Sequence, residues 1–174
     1  ITTNERGAIV VNDTCESSVP GVYAVGDVNG GPQFTYISLD DFRIVFGALT
    51  GNGQYTLKDR KNIPYTTFLT PPLARIGLTE EDAINKGYTV KTKEMLVATM
   101  PRAHVNDYLK GAFKIVVNAD NDLILGATLY SQGAEELINL IKMAMDNNIP
   151  YTYFKNQIFT HPTMAENLND LCNF

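Results

Sequence analysis

The sequence predicts an α+β chain, with a short βα fragment over about 1–55 ahead of an α+β unit with a mainly antiparallel sheet over about 62–174. Three observations carry this prediction. Two β-branched runs precede a helix-period apolar stripe in the first third of the chain. A polar stretch, "LKDRKNIPY" (57–65), separates that part from the remainder. Two β-rich runs then flank "ADND" within 111–131, the pattern of a hairpin.

Taken in order, "GAIVVN" (7–12) and "GVYAVGD" (21–27) read as strands, and "GGPQF" (30–34) as a turn. From Thr35 to Leu49 the apolar residues Ile37, Phe42, Val45, Phe46 and Leu49 recur mostly every three or four positions, which predicts a helix. "TGNGQ" ends it. "YTTFL" (65–69) and "LARIGL" (73–78) read as strands divided by Pro71 and Pro72. "TEEDAINKG" (79–87) has Thr79 to cap a short helix, Glu80 and Glu81 at its positive end and Gly87 to close it. A strand over 88–98 and then the hairpin come next. The segment 134–148 is a helix with Leu137, Ile141, Ala144 and Met145 on one face, stopped by Pro150. The segment 151–159 leads into "HPTMAENLNDL".

Composition narrows the function classes. The hydrophobic fraction of 44% and charged fraction of 19% match ordinary globular chains and argue against disorder. The net charge of −5, with scattered Lys and Arg, argues against a nucleic-acid partner. No apolar run approaches the ~20 residues of a membrane span, so no membrane role is expected. Cys15 and Cys172 lie far apart, without a CxxC or a metal-ligand cluster, and read as reduced thiols of a cytoplasmic protein. Cys172, near the end of the chain, could be exposed and reactive, though nothing nearby in sequence would lower its pKa.

Two places have the residue types of a functional site. Pro162 suits a first helical position, and the residue before a proline is extended. A helix starting at Pro162 would send the Glu166 carboxylate back toward the His161 imidazole, because helical side chains lean toward the N-terminus. Such a pair orients the ring and fixes its tautomer, as an acid–base group requires. Spacing alone equally describes a packing histidine with an ion pair. His104 has no partner at useful spacing and reads as an exposed loop residue. In the second place, Gly26 and Asp27 end a run just before a helix, where ligands of open α/β sheets sit. Asp27 could accept hydrogen bonds from sugar-like hydroxyls, and the helix start near Gln33 and Phe34 favours negative charge. Gly-Asp is also a common plain turn. A hydrolase reading of His161 has no serine or cysteine nucleophile at a recognisable turn and is set aside.

Three ordered segments resemble one family. "SSVPGVYAVGDV" resembles the second flavin motif of the pyridine nucleotide–disulfide oxidoreductases, "FLTPPLARIGLTEEDA" the start of their interface domain, and "HPTMAE" their C-terminal H-P-T-x-x-E. Leu69 and Pro72 depart from the second pattern, while Phe68, Pro71, Gly77, Leu78, Thr79 and Glu80 fit. The resemblance implies that 1–55 is the C-terminal segment of an FAD-binding domain and 62–174 a dimerisation domain. It implies FAD as cofactor, with Asp27 on the ribityl chain, Gly26 beside it, and the helix start at Gln33–Phe34 facing the flavin pyrimidine edge. It makes His161, held by Glu166, the acid–base partner of a redox thiol on the other subunit of a homodimer. NAD(P)H and a small oxidised substrate would be handled by sequence not present, so the chain is expected to be a piece of a longer enzyme. "GGPQFTYISLDDFRI" and "HPTMAENLNDL" are similar to the bacterial hypothiocyanous-acid and reactive-chlorine-resistance reductase branch. The rival expectation is a dimerisation module with no activity of its own.

Overall fold

The structure, a computed structural model, describes residues 1–174, which divide into two compact units, Ile1–Lys61 and Asn62–Phe174. In the first unit the two β-rich runs make single bridges, Thr3 to Ile9 and Glu16 to Tyr23, rather than ladders. This corrects the expectation of two strands. Each run folds back sharply on itself, with Gly7, Cys15 and Gly21 all at positive φ, so pairing stops after one bridge. The runs are tied to their surroundings by isolated bonds, Ala24 N–H to the Cys15 carbonyl at 2.9 Å and Ile9 N–H to the Val28 carbonyl at 2.8 Å.

Helix α1 spans Thr35–Thr50 and ends where Gly51 takes a left-handed conformation. Its buried residues are Ile37, Asp41 and Ile44. Phe42, Phe46 and Leu49 are exposed, at 53%, 57% and 65%. Of the apolar stripe, Ile37 is buried while Phe42, Phe46 and Leu49 face outward, and the face that packs has a carboxylate at its centre. A count of apolar residues cannot see such a face, because one of its three members is charged. The polar stretch after α1 makes a single 3-10 turn, Leu57–Asp59, whose start is closed by reciprocal bonds between Thr56 and Asp59.

The second unit is built on a five-stranded sheet in the order β1-β2-β5-β4-β3, antiparallel throughout. The strands are β1 Tyr65–Thr67, β2 Leu73–Gly77, β3 Val90–Leu96, β4 Ala112–Asn118 and β5 Ile124–Tyr130. Register places Phe113 opposite Leu129 and Ile115 opposite Ala127, with Ala74 and Ile76 on the next strand facing the same two partners. Across β2, β5 and β4 this face is apolar, as the alternation along β4 requires, while Thr66 of β1 and Lys91 and Lys93 of β3 stand on the same face at its two edges. A register shift at Val116/Val117 interrupts the hairpin. Gly111, at φ +124, lies so close to Tyr130 that a Cβ there would sit 1.8 Å from its carbonyl oxygen.

The helices are α2 Glu80–Asn85, α3 Pro101–Val105, α4 Ala134–Asp146, α5 Tyr151–Asn156 and α6 Asn167–Leu171. Thr79 and Asp82 cap α2 reciprocally. Leu137, Ile138, Ile141 and Ala144 of α4 join Leu168 and Leu171 of α6 in one core with the apolar sheet face. Met145 is only partly buried against it. Two short helices were not expected: α3, and α5 directly after Pro150. No helix is long and apolar enough to cross a membrane.

The C-terminal helix begins at Asn167, not at Pro162. The peptide between His161 and Pro162 is cis, and residues 163–166 form a turn leading into α6. In that turn Glu166 N–H donates to Thr163 Oγ1 and Thr163 N–H donates to Glu166 Oε1, both at 3.2 Å. Thr163 and Glu166 thus close this turn by reciprocal bonds, ahead of α6, whose own N-cap residue Glu166 makes no side-chain cap bond.

Candidate functional site

His161 stands at the end of an extended stretch after α5, and its position is set by bonds on both sides. Asn169 Nδ2 donates to the carbonyls of Phe154 at 2.6 Å and Gln157 at 2.9 Å, which holds the stretch against α6. Thr163 Oγ1 donates to the Thr160 carbonyl at 2.8 Å. His161 Nδ1 lies 2.8 Å from Glu166 Oε2. A carboxylate only accepts, so the hydrogen is on Nδ1. The second carboxylate oxygen takes the Thr163 N–H, so the glutamate is fixed at both oxygens. The His161 side chain is 68% exposed against 18% for Glu166, and Nε2 makes no hydrogen bond within the chain. The predicted pair therefore exists, by a different local route from the one expected. His104 is exposed but not unpartnered: it lies in α3 with Nε2 2.8 Å from the Ala98 carbonyl.

In the first unit Gly26–Asn29 form a 3-10 turn with Gly26 at φ +72. A Cβ on Gly26 would meet Ser38 Oγ at 2.7 Å, so α1 approaches this turn closely. The Asp27 carboxylate is exposed and makes no hydrogen bond within the chain. Gln33 and Phe34 precede α1, and no side chain caps its start. The Phe34 ring stacks on Tyr36 at 5.1 Å. Behind the turn lies a network that sequence reasoning missed. Asp41, fully buried, accepts from Gly26 N–H at 2.7 Å and from Asn29 Nδ2 at 2.9 Å, and pairs with Arg60 Nη2. Arg60 Nε also pairs with Asp40 at 2.8 Å. The signal available in the sequence was Asp41 at the centre of an Ile37–Asp41–Ile44 face.

Both cysteines are free and buried, so Cys172 is not the exposed thiol that its place near the chain end allowed. Burial pushes the Cys172 thiol up to about 12. Burial, with the nearby Asp41 carboxylate adding to it, pushes Cys15 up to about 11. Neither is a ready nucleophile. No group of three or more His, Cys, Asp or Glu side chains is placed to hold a metal.

Residues 63–172 match the dimerisation domain of the pyridine nucleotide-disulphide oxidoreductases, and residues 1–41 match a second model of that name. The chain belongs to the pyridine nucleotide-disulphide oxidoreductase family. Over 98% of its length it is 48% identical to the probable pyridine nucleotide-disulfide oxidoreductase RclA of Escherichia coli (strain K12), of which it covers 39%. Over 97% it is 33% identical to a mercuric reductase of Staphylococcus aureus, of which it covers 30%. The solved structure of the HOCl-induced flavoprotein disulfide reductase RclA from Escherichia coli superposes with a TM-score of 0.95 at 47% identity, covering 99% of this chain and 40% of that one. The chain thus spans well under half the length of these relatives. Within this oxidoreductase frame, Gly26, Asp27, Gln33, Phe34 and Asp41 fall in the segment matched over 1–41, and His161 and Glu166 in the dimerisation domain.

Proposed function

We propose that this chain serves a flavin-dependent pyridine nucleotide-disulfide oxidoreductase, with residues 1–55 as the tail of the FAD domain and 62–174 as the dimerisation domain. His161, held by Glu166, would be the acid–base group for a redox thiol on the other subunit of a homodimer. The observation that carries this reading is the 2.8 Å bond at Nδ1 combined with an Nε2 that has no partner in the chain. With the hydrogen on Nδ1, the neutral ring keeps its lone pair on Nε2. That nitrogen takes the proton of a thiol as it attacks and returns it to the departing thiolate.

The first unit fits FAD chemically. Asp27 supplies an unengaged acceptor for ribityl hydroxyls, and the uncapped start of α1 after Gln33 and Phe34 directs backbone N–H groups at an electron-rich ring edge. Gly26 leaves room for the close approach of α1 to the turn. Bound FAD supplies two-electron transfer between NAD(P)H and the disulfide. The substrate would be a small oxidised molecule and the compartment the cytoplasm.

The test is His161→Gln in the full-length flavoprotein, following NAD(P)H oxidation with a disulfide substrate. Turnover should fall by about 10²–10⁴-fold. Unchanged turnover removes the acid–base role. A second reading for the chain by itself is a dimerisation module without activity, of which the match over 63–172 supports the dimerisation part. Light scattering that finds only monomer at high concentration counts against it, and a purified chain with a flavin absorbance band counts against the inactive state.

A further inference from the structure

We propose that Asp41 and Arg60 form a positioning clamp that fixes the Asp27 turn for flavin binding without touching the flavin. The proposal rests on the flavin reading above. Asp41 is the one charged residue among the fully or nearly fully buried side chains of the chain, at 0% exposure. Burying a carboxylate is unfavourable unless its lone pairs are all used by charged or N–H partners. Asp41 is fully engaged, and its partners are informative. Gly26 N–H immediately precedes Asp27, and Asn29 Nδ2 lies two residues after it. Both ends of the four-residue turn thus hang on one carboxylate.

The fixation extends further. Asn29 Oδ1 accepts from Gly31 N–H at 3.0 Å, which ties the loop toward Gln33 to the same network. Asp41 itself lies on α1, the helix whose start is the other half of the proposed flavin contact. One side chain therefore locks the acceptor and the N–H donors into a single unit. Arg60 supplies the compensating charge from a residue far along the chain, with 10% of its side chain exposed. Removal of Arg60 leaves Asp41 buried with no cation. The reporter for this is also present: the Cys15 carbonyl accepts from Ala24 N–H, just before the turn, and the Cys15 side chain is fully buried.

The experiment uses the full-length FAD-loaded protein and the variants Arg60→Met, Asp41→Asn and the double variant. Three quantities are read: the FAD dissociation rate, the position of the flavin visible band, and iodoacetamide labelling of Cys15 and Cys172 by peptide mass. Arg60→Met should release FAD roughly tenfold faster or more and label Cys15 faster by a similar factor, with Cys172 unchanged. The double variant should recover most of both, since the neutral amide that replaces the Asp41 carboxylate still accepts from Gly26 N–H and no charge is stranded. Asp41→Asn alone, which keeps Arg60 paired with Asp40, should shift the flavin band. It carries the test where Arg60→Met does not fold. Unchanged FAD release in Arg60→Met and Asp41→Asn, in a protein where Asp27→Ala does release FAD, overturns the clamp. Retention of FAD by Asp27→Ala overturns the flavin reading instead. Faster Cys15 labelling without any change in FAD release shows a purely structural pair and also overturns the proposal.

Discussion

At His161, the imidazole is held by a ring of contacts that closes through Glu166, Thr163 and Thr160. Glu166 does two jobs with its two oxygens, and a substitution can separate them. Glu166→Gln keeps an acceptor for Thr163 N–H but removes the charge beside Nδ1. Turnover in the full-length enzyme should drop about tenfold while the melting temperature stays within experimental error. Glu166→Ala removes both bonds and should lower turnover and stability together. The two thiols make a pH prediction. Their folded values, about 11 for Cys15 and about 12 for Cys172, lie above the ordinary value of 9.0. The folded state holds these protons where the unfolded chain releases them. Stability contributed this way is intact below pH 9 and is lost as pH rises toward the folded values, by up to about 1.4 kcal/mol per pH unit for each thiol. Urea melts at pH 7 and pH 10 measure the loss, and Cys172→Ala should remove part of it. At this scale the sequence showed His161 and Glu166 as a pair through their spacing, and the T-x-x-E pattern at 163–166 was there to be read. Asp41 was hidden because its partners, Gly26, Asn29 and Arg60, are joined by folding and not by local spacing.

Among the elements, α2 and α1 show why some segments were legible and others not. Helix α2 is specified locally: Thr79, Asp82 and Gly87 are all within reach of one another in sequence, and the reading of 79–87 matches the observed cap. Thr79→Ala should cost about 1 kcal/mol in a urea titration. The extent of α1 was equally legible, from Thr35 to the glycines after Thr50, but its packing face was not. Hydrophobic spacing predicts that a helix exists, while burial is decided by the surface opposite. The runs over 7–12 and 21–27 make the same point for strands, since β-branched residues favour extended backbone but only a partner makes a ladder. Asn169 belongs at this scale too, because it joins α6 to the end of α5. Asn169→Ala should lower stability by about 1–2 kcal/mol, measured by urea melts, and loosen the stretch that presents His161.

In the molecule as a whole, the second unit derives its stability from one apolar sheet face and the helices over it. Phe113, fully buried at the centre of that face, is its largest fully buried side chain. Phe113→Ala should cost about 3–5 kcal/mol, measured by thermal or urea unfolding. This face was predictable, because the alternation along β4 and β5 places Phe113, Ile115, Ala127 and Leu129 together once the hairpin is drawn. The order of the strands was not, since β2 joins β5 across a long intervening stretch that holds two other strands. That order has a further consequence. It leaves β3 paired on one side only, with the backbone groups of alternate residues open along the rim of the sheet. Such a rim is a template for runaway stacking of one molecule on the next. Here Lys91, Lys93 and Glu94 interrupt it, and Lys93 is drawn inward to the Asp170 carbonyl at 2.8 Å. The charges that make β3 an ordinary surface strand are thus a guard against fibre growth, a form of selection that acts on what the protein must not become.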